Sequence, residues 1–168
     1  MTVTPADLLT DAFTRIRDTV HGVVADLSPE ELSSRPDGHG NSIAWLVWHL
    51  TRIQDDHIAG VAGLEQVWTA NGWVERFGLR FDAGATGYGH SSDDVSAVKV
   101  NTGRLLSYHD AVHAQTARYL ATLDGDDLDR VIDEQWDPPV TVGVRLVSVV
   151  GDDLQHAGQA AYVRGLLR

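Results

Sequence analysis

Asp152 and His156 lie four residues apart near the end of the sequence, and His49 lies much earlier. Side chains four residues apart are neighbours on a helix, so this pair would aim a carboxylate and an imidazole at one point. His49 could complete a set of three ligands and leave a coordination position open for chemistry. The pattern indicates a catalytic metal site. From spacing alone, the alternative is a solvated helix surface on which Asp152 and Asp153 are two exposed acids.

A second pair of histidines, His109 and His113, has the same spacing. On spacing alone this pair is the better metal motif. It has no obvious third ligand of its own, although Asp56, His57 or His90 could serve. Its polar surroundings favour two histidines on a partly exposed face instead. The residues by themselves leave both sites open.

The composition excludes several kinds of chemistry. The 168 residues include no cysteine, which excludes disulfides, thiolate ligands and a cysteine nucleophile. Acidic residues outnumber basic ones 24 to 13, and the net charge of −11 argues against a nucleic-acid partner. The sequence has no dinucleotide fingerprint, P-loop or serine-elbow motif. Any reaction of a thiol would need a thiol from outside the chain.

The length and the apolar pattern bound the organisation of the chain. The length predicts a single domain that covers residues 1–168. The first residues lack the basic and apolar regions of a signal peptide, and no apolar run approaches the roughly 20 residues that span a bilayer. We therefore expect a cytoplasmic protein without a membrane partner.

The first two long helices have recognisable start signals. Thr4 followed by a proline is typical of a helix start, and the apolar spacing after it predicts a long amphipathic helix. A break at residues 36–40 precedes Asn41 and Ser42, either of which could cap the helix that carries His49. That helix would place His49 on an apolar face.

The middle of the chain is less regular. Residues 63–92 are rich in glycine, aspartate and scattered aromatic side chains, which predicts a long connection that is either functional or contains further structure. A third helix is predicted to begin at Asp93 or Asp94 and to continue through Leu123. A polar break follows at residues 124–129.

The last segment favours a fourth helix. Residues 140–150 are rich in valine, which favours strands, but the pattern continues without a turn signal through Leu166. The sequence therefore predicts an all-α fold, a four-helix bundle with a long aromatic-rich crossover between its second and third helices.

Two segments resemble a known family: residues 41–50 (NSIAWLVWHL) and residues 152–159 (DDLQHAGQ). They are similar to the DinB-like superfamily, in particular its actinobacterial branch related to mycothiol-dependent maleylpyruvate isomerase and the mycothiol S-transferases. The resemblance implies a homodimeric four-helix bundle with metal ligands on its second and fourth helices. By position, these ligands would be His49, Asp152 and His156. Where Asp152 stands, the isomerase-like branch has glutamate and many other members have histidine.

What the resemblance implies is a divalent-metal-dependent S-transfer, in which a low-molecular-weight thiol such as mycothiol attacks an electrophilic small molecule. The thiol would be the nucleophile, so no catalytic residue is expected from the chain itself. Zn²⁺ is the expected ion, with Ni²⁺ or Mn²⁺ as alternatives. The alternative function is a non-catalytic metal- or ligand-binding bundle used in a stress response.

The same resemblance suggests what would surround the metal. The aromatic-rich residues 68–88 are candidates for the wall of a substrate pocket. Arginines such as Arg52, Arg76 or Arg80 are candidates to hold an anionic group.

Overall fold

The computed structural model describes residues 2–167, which form eight α-helices and one short pair of strands. In chain order the helices are α1 (Pro5–Val24), α2 (Pro29–Ser33), α3 (Ile43–Ala62), α4 (Val67–Ala70), α5 (Trp73–Phe77), α6 (Ser92–Ala97), α7 (Thr102–Leu120) and α8 (Val142–Leu166). The strands are β1 (Val131–Asp133) and β2 (Val140–Thr141), and 3₁₀ turns lie at Pro36–Gly38 and Asp126–Asp129. Within residues 2–167, no helix is both long and apolar enough to cross a bilayer.

The four long helices, α1, α3, α7 and α8, form the predicted bundle. Both α1 and α3 pack against α7 and α8, so α1 and α3 lie diagonally across the core. The helices α3 and α8 are antiparallel, since His49 lies beside His156 whereas His57 lies beside Arg145. Every long helix contributes buried apolar side chains to one cluster, among them Ile16, Leu50, Leu105 and Leu146. The all-α prediction is confirmed.

Polar side chains fix where the long helices begin. Thr4 accepts a hydrogen bond from the amide of Asp7, and the Asp7 carboxylate accepts one from the amide of Thr4. Of the two predicted caps for α3, Ser42 is the residue that accepts from the helix, at 3.2 Å from the amide of Trp45. Such caps satisfy amide groups that have no partner inside the helix. They set the register in which α3 presents His49.

The prediction of one continuous third helix from Asp93 or Asp94 is wrong. The short helix α6 ends at Ala97, the chain is extended at Val98, and α7 begins only after Asn101. The Asn101 side chain accepts from the amide of Arg104 at 2.9 Å and so starts a new helix. The apolar spacing in the sequence continues through this break because Val98 is buried although its backbone is extended.

The crossover between α3 and α7 contains three short helices and is fastened to α3 by buried charges. Asp55 accepts hydrogen bonds from two amides at the start of α4, both at 2.8 Å. Arg52 donates to the carbonyl of Ala85 at 3.1 Å and to the side chain of Gln66 at 2.9 Å. Both charged residues are buried within the core. The connection is therefore an ordered layer that lies over one side of α3.

The segment before α8 contains both the predicted polar break and a short stretch of strand. The predicted polar break contains the 3₁₀ turn Asp126–Asp129, and β1 pairs antiparallel with β2. The valine-rich segment is thus extended only at Val140–Thr141 before it becomes the helix that the sequence favours. Thr141 caps this helix by accepting from the amide of Val144.

Candidate metal centre

His49, Asp152 and His156 come together between α3 and α8. One donor atom from each of the three residues lies within 4.8 Å of the others. The Nε2 atom of His156 is 3.6 Å from Oδ1 of Asp152, and the rings of His49 and His156 are 4.7 Å apart between centroids. The two α8 residues are one turn apart and so face α3 together. Among residues 2–167, this is the only group of three such side chains with a spacing that fits a metal ion.

The orientation of His49 is fixed by the crossover. Its Nδ1 atom lies 2.6 Å from the carbonyl oxygen of Thr86. A carbonyl can only accept, so Nδ1 carries the proton and the lone pair is on Nε2. This arrangement is the one found behind metal-binding histidines, where the second nitrogen is held by a carbonyl or carboxylate.

Gly87 allows the crossover to approach this close. Its φ is +98°, and a Cβ atom at this position would lie 2.7 Å from Nδ1 of His49. The same Cβ would lie 3.1 Å from the ring of Trp48 and 3.2 Å from the ring of Trp45. Glycine is therefore required here for both its conformation and its lack of a side chain.

His156 is held in the same way from its own helix. Its Nδ1 atom lies 2.9 Å from Oε1 of Gln159, one turn further along α8. Since this amide oxygen accepts, Nδ1 is again the protonated nitrogen of the neutral ring, and Nε2 is left for Asp152 or for a metal ion. Both histidines thus present the same nitrogen to the centre.

Asp152 supplies an oxygen whose hydrogen-bonding capacity is unused. Its Oδ2 atom is buried and has no hydrogen-bond partner. A buried carboxylate oxygen without a partner is unfavourable, and a bound cation would satisfy it. One carboxylate and two imidazoles are a suitable donor set for a divalent first-row metal, so the residues present fit such an ion.

The charges of the three groups are coupled. The close approach of Asp152 and His156, 3.6 Å between Oδ1 and Nε2, lowers the pKa of Asp152 and raises the pKa of His156. Burial lowers the pKa of His49, which keeps this ring neutral. A cation would face a carboxylate and a neutral imidazole, and would compete with a proton only at His156.

Asp153 is not the exposed neighbour that the surface alternative requires. It is fully buried in the core, and neither of its oxygens has a hydrogen-bond partner. Burial, and secondarily the charge of Asp152, raise the pKa of Asp153 well above its ordinary value. Asp152 and Asp153 therefore occupy different environments, and only Asp152 faces the centre.

Aromatic rings enclose one side of the centre. Trp45 stacks on His49 with 4.6 Å between ring centroids, and it meets His156 edge-on at 6.4 Å. The Trp45 indole donates to Nδ1 of His90 at 3.2 Å, and His90 in turn packs against Phe81 at 4.4 Å. Within the predicted wall of residues 68–88, Phe81 thus packs behind the ring of Trp45 through His90, whereas the Tyr88 side chain is 92% exposed.

The rival pair on α7 does not form a site. His109 is fully buried, its Nδ1 lies 3.0 Å from the hydroxyl of Thr51, and burial lowers its pKa to about 3. The adjacent Asp110 is engaged by Arg17 at 2.7 Å and by His21 at 2.8 Å, both from α1. His109 thus contacts α3, and Asp110 holds α1 against α7.

The three arginines suggested by the sequence are engaged elsewhere. Arg52 is buried and binds carbonyl and amide oxygens of the crossover. Arg80 pairs with Asp94 at 2.9 Å, and Arg76 stacks over Trp73 at 4.7 Å. The interpretation of these residues as anion ligands at the centre is not supported by their contacts.

The sequence interpretation missed the residues that orient the two histidines. Gln159 was part of the recognised motif and lies one turn beyond His156, so its position was a usable signal. Thr86 and Gly87 carry no such signal, because they reach His49 only through the path of the crossover.

The comparisons with known proteins agree with this geometry. The model of a family described as mycothiol-S-transferase matches residues 8–168. The chain belongs to the mycothiol-S-transferase family. The resemblance of residues 41–50 and 152–159 to this family is therefore confirmed. The family description supports S-transferase chemistry with a mycothiol-type thiol in general terms.

The fold has a solved counterpart. The crystal structure of a conserved protein from Enterococcus faecalis is 30% identical to this mycothiol-S-transferase family member, with a TM-score of 0.91. The match covers 97% of this chain and 96% of that chain. No curated protein has significant similarity to the chain.

Proposed function

We propose that this mycothiol-S-transferase family member is a divalent-metal-dependent enzyme in which His49, Asp152 and His156 hold the metal. Mycothiol would be the thiol cosubstrate, and the acceptor would be an electrophilic small molecule. We place the activity in one domain, residues 1–168, of a cytoplasmic homodimer.

The convergence of the three donors is the observation that carries this proposal. They lie within 4.8 Å of one another, and both imidazoles are held through Nδ1 so that Nε2 is left for the centre. Three protein ligands leave room for a further ligand, which is the arrangement of catalytic rather than structural metal sites. A purely structural role for these residues would not need the unpaired Oδ2 of Asp152.

The reaction needs little from the protein beyond this site. A bound divalent cation would stabilise the thiolate form of an incoming thiol near neutral pH. The chain contributes two neutral imidazoles, a carboxylate that offsets part of the cation's charge, and the Trp45 ring that shields one side from water. In the transfer, the sulfur bonds to the electrophilic carbon, the leaving group departs with the electrons of the broken bond, and the thiol proton goes to solvent.

The absence of cysteine is consistent with this scheme, because the nucleophile is the sulfur of the cosubstrate. Zn²⁺ is the proposed ion because two histidines and one carboxylate form a common catalytic zinc set. Ni²⁺ and Mn²⁺ are alternatives that the same donors can bind.

Metal analysis of protein purified without a histidine tag tests the site. We expect one divalent ion per chain after reconstitution, and its loss in the variants His49→Ala, Asp152→Ala and His156→Ala. The variant His113→Ala is the matched control and should bind the metal normally. Metal binding that depends on His113 and not on His49 would show that the wrong pair has been chosen.

Turnover tests the enzyme. The metal-loaded protein should conjugate mycothiol to monobromobimane or chlorodinitrobenzene, and the His156→Ala and Asp152→Ala variants should lose this activity. Turnover that persists unchanged in both variants contradicts the mechanism. A protein that binds metal normally but turns over neither electrophile would instead fit the non-catalytic binding bundle.

A further inference from the structure

A recess of about 280 Å³ lies between α3 and α8, away from the metal centre toward the C-terminal end of α3. It is lined by Asp56, His57, Gly60, Val61, Ile132 and Arg145. None of these residues holds the metal in the proposed function. The proposed function therefore gives the residues of the recess no role.

The recess lies along the same helix pair as the metal centre. Arg145 precedes Asp152 by two helical turns on α8, about 10 Å along the axis. His57 follows His49 by a similar distance on the antiparallel α3. A small molecule could reach from one to the other.

Arg145 has hydrogen-bond donors to spare. Its Nη1 atom donates to Nδ1 of His57 at 3.1 Å, so that ring is neutral, and burial followed by the charge of Arg145 lowers the pKa of His57. Among the ion pairs of residues 2–167, none involves Arg145. The Asp56 carboxylate also borders the recess, with Oδ1 accepting from Gln66 at 2.7 Å and Oδ2 lying 3.9 Å from Nδ1 of His57.

We infer that Arg145 binds a carboxylate on the electrophilic substrate, so that the recess is a subsite for anionic electrophiles. The inference rests on the proposed function. A guanidinium presents several N–H groups in a plane that matches a carboxylate, and His57 occupies only one side of it. Because the chain carries a net charge of −11, an anion needs such a local cation to approach the centre.

Two electrophiles that differ only in charge test this inference. The pair 4-(bromomethyl)benzoate and 4-(bromomethyl)benzamide share their size and reactive carbon. With mycothiol and zinc-loaded protein, Arg145→Met should raise the KM for the benzoate about tenfold, the low end for a charge-assisted pair that is partly exposed. The KM for the benzamide and for mycothiol should change less than about twofold.

Two further variants separate binding from structure. Arg118→Met removes an exposed arginine of α7 and should leave both electrophiles unaffected. Asp56→Asn removes the negative charge at the recess and should lower the KM for the benzoate by about two- to fivefold. Equal losses for both electrophiles, an effect confined to the thiol, or no effect of Asp56→Asn overturns the inference.

A binding measurement needs no turnover. Titration of unreactive 4-methylbenzoate, followed by NMR of the protein amides, should show weaker binding in Arg145→Met by about tenfold. The titration is run on zinc-loaded and on metal-free protein, because the metal-free form excludes direct ligation of the carboxylate to the ion. Absence of binding, or binding that is equal in Arg145→Met, overturns the inference. Arg145-dependent binding without any turnover supports the subsite and contradicts only the proposed function.

Discussion

Replacing Gly87 with alanine should disturb the metal centre without touching a ligand. The new Cβ would lie 2.7 Å from Nδ1 of His49, against an ordinary contact of 3.4 Å or more. The contact must therefore open by about 0.7 Å, and neither the buried His49 ring nor the backbone of the turn can do so independently. The hydrogen bond from Nδ1 to Thr86, now 2.6 Å long, would stretch to the limit of a useful bond.

The expected magnitude follows from the role of that hydrogen bond. Loss of the group that orients a metal-binding histidine typically costs about 10- to 100-fold in metal affinity, or about 1.4–2.8 kcal/mol. A separate cost arises because alanine at a φ of +98° is strained by about 1–2 kcal/mol, and this cost falls on folding. The variant should therefore lose both metal affinity and thermal stability.

Gly89→Ala is the matched control for this prediction. Gly89 lies two residues further on with a φ of +74°, and a Cβ there would have no heavy atom within 4 Å. The Gly89→Ala variant should therefore have the backbone strain of a positive φ without a steric clash against His49. Metal affinity, measured by competition with a chromophoric chelator, should decrease in Gly87→Ala and stay at the wild-type value in Gly89→Ala. Equal affinities in the two variants would refute the proposed role of Thr86 and Gly87 in orienting His49.

Three further predictions concern other polar groups. Gln159→Leu removes the acceptor for Nδ1 of His156 and should lower metal affinity about tenfold in the same competition assay. Asp55→Ala leaves Arg52 buried without its counter-ion and should lower the free energy of unfolding by about 3–5 kcal/mol, measured by urea denaturation. Because His109 has a folded pKa of about 3 against 6.5 for its ordinary value, the unfolded chain takes up a proton between these pH values that the folded chain does not. Stability should therefore decrease as the pH falls from 6.5 toward 3, by about 1.4 kcal/mol per unit from this residue.

A control variant accompanies each of these three predictions. Gln155→Leu changes an exposed glutamine of α8 that bonds only to its own helix, so it should bind metal normally. Asp56→Ala removes a less buried carboxylate next to Asp55 and should cost no more than about 1 kcal/mol. For the pH dependence, the free energy of unfolding is measured against pH in the wild type and in His109→Gln. The difference between the two slopes isolates His109, since other buried groups titrate too. Identical slopes contradict the assignment to His109.

The sequence predicted the parts of the fold that depend on local signals. A threonine or serine before an apolar periodic run located the starts of α1 and α3, because capping and amphipathic spacing are properties of adjacent residues. The same logic placed Asp152 and His156 on one face of α8. The convergence of His49 with this pair, however, was indicated by the resemblance in residues 41–50 and 152–159, since spacing alone also allowed His109 and His113.

The remainder depended on tertiary contacts that no local pattern records. The break before α7 was hidden because Val98 stays buried from extended backbone, and the periodic pattern does not distinguish this from a helix. Thr86 and Gly87 are brought to His49 by a crossover whose course is set by Arg52 and Asp55. Arg145 was not singled out because its neighbour, His57, belongs to a different helix.

The placement of the donors on α3 and α8 has a consequence for the unfolded chain. These two helices are far apart in sequence, so an ion held by His49, Asp152 and His156 would close a loop of about 100 residues, a length for which a covalent link is worth about 4–5 kcal/mol. A chain without cysteine would thereby gain a removable cross-link across its largest helix contact. Its melting temperature would then report the free concentration of the metal, and core substitutions tolerated in the metal-loaded protein would unfold it in the presence of a chelator.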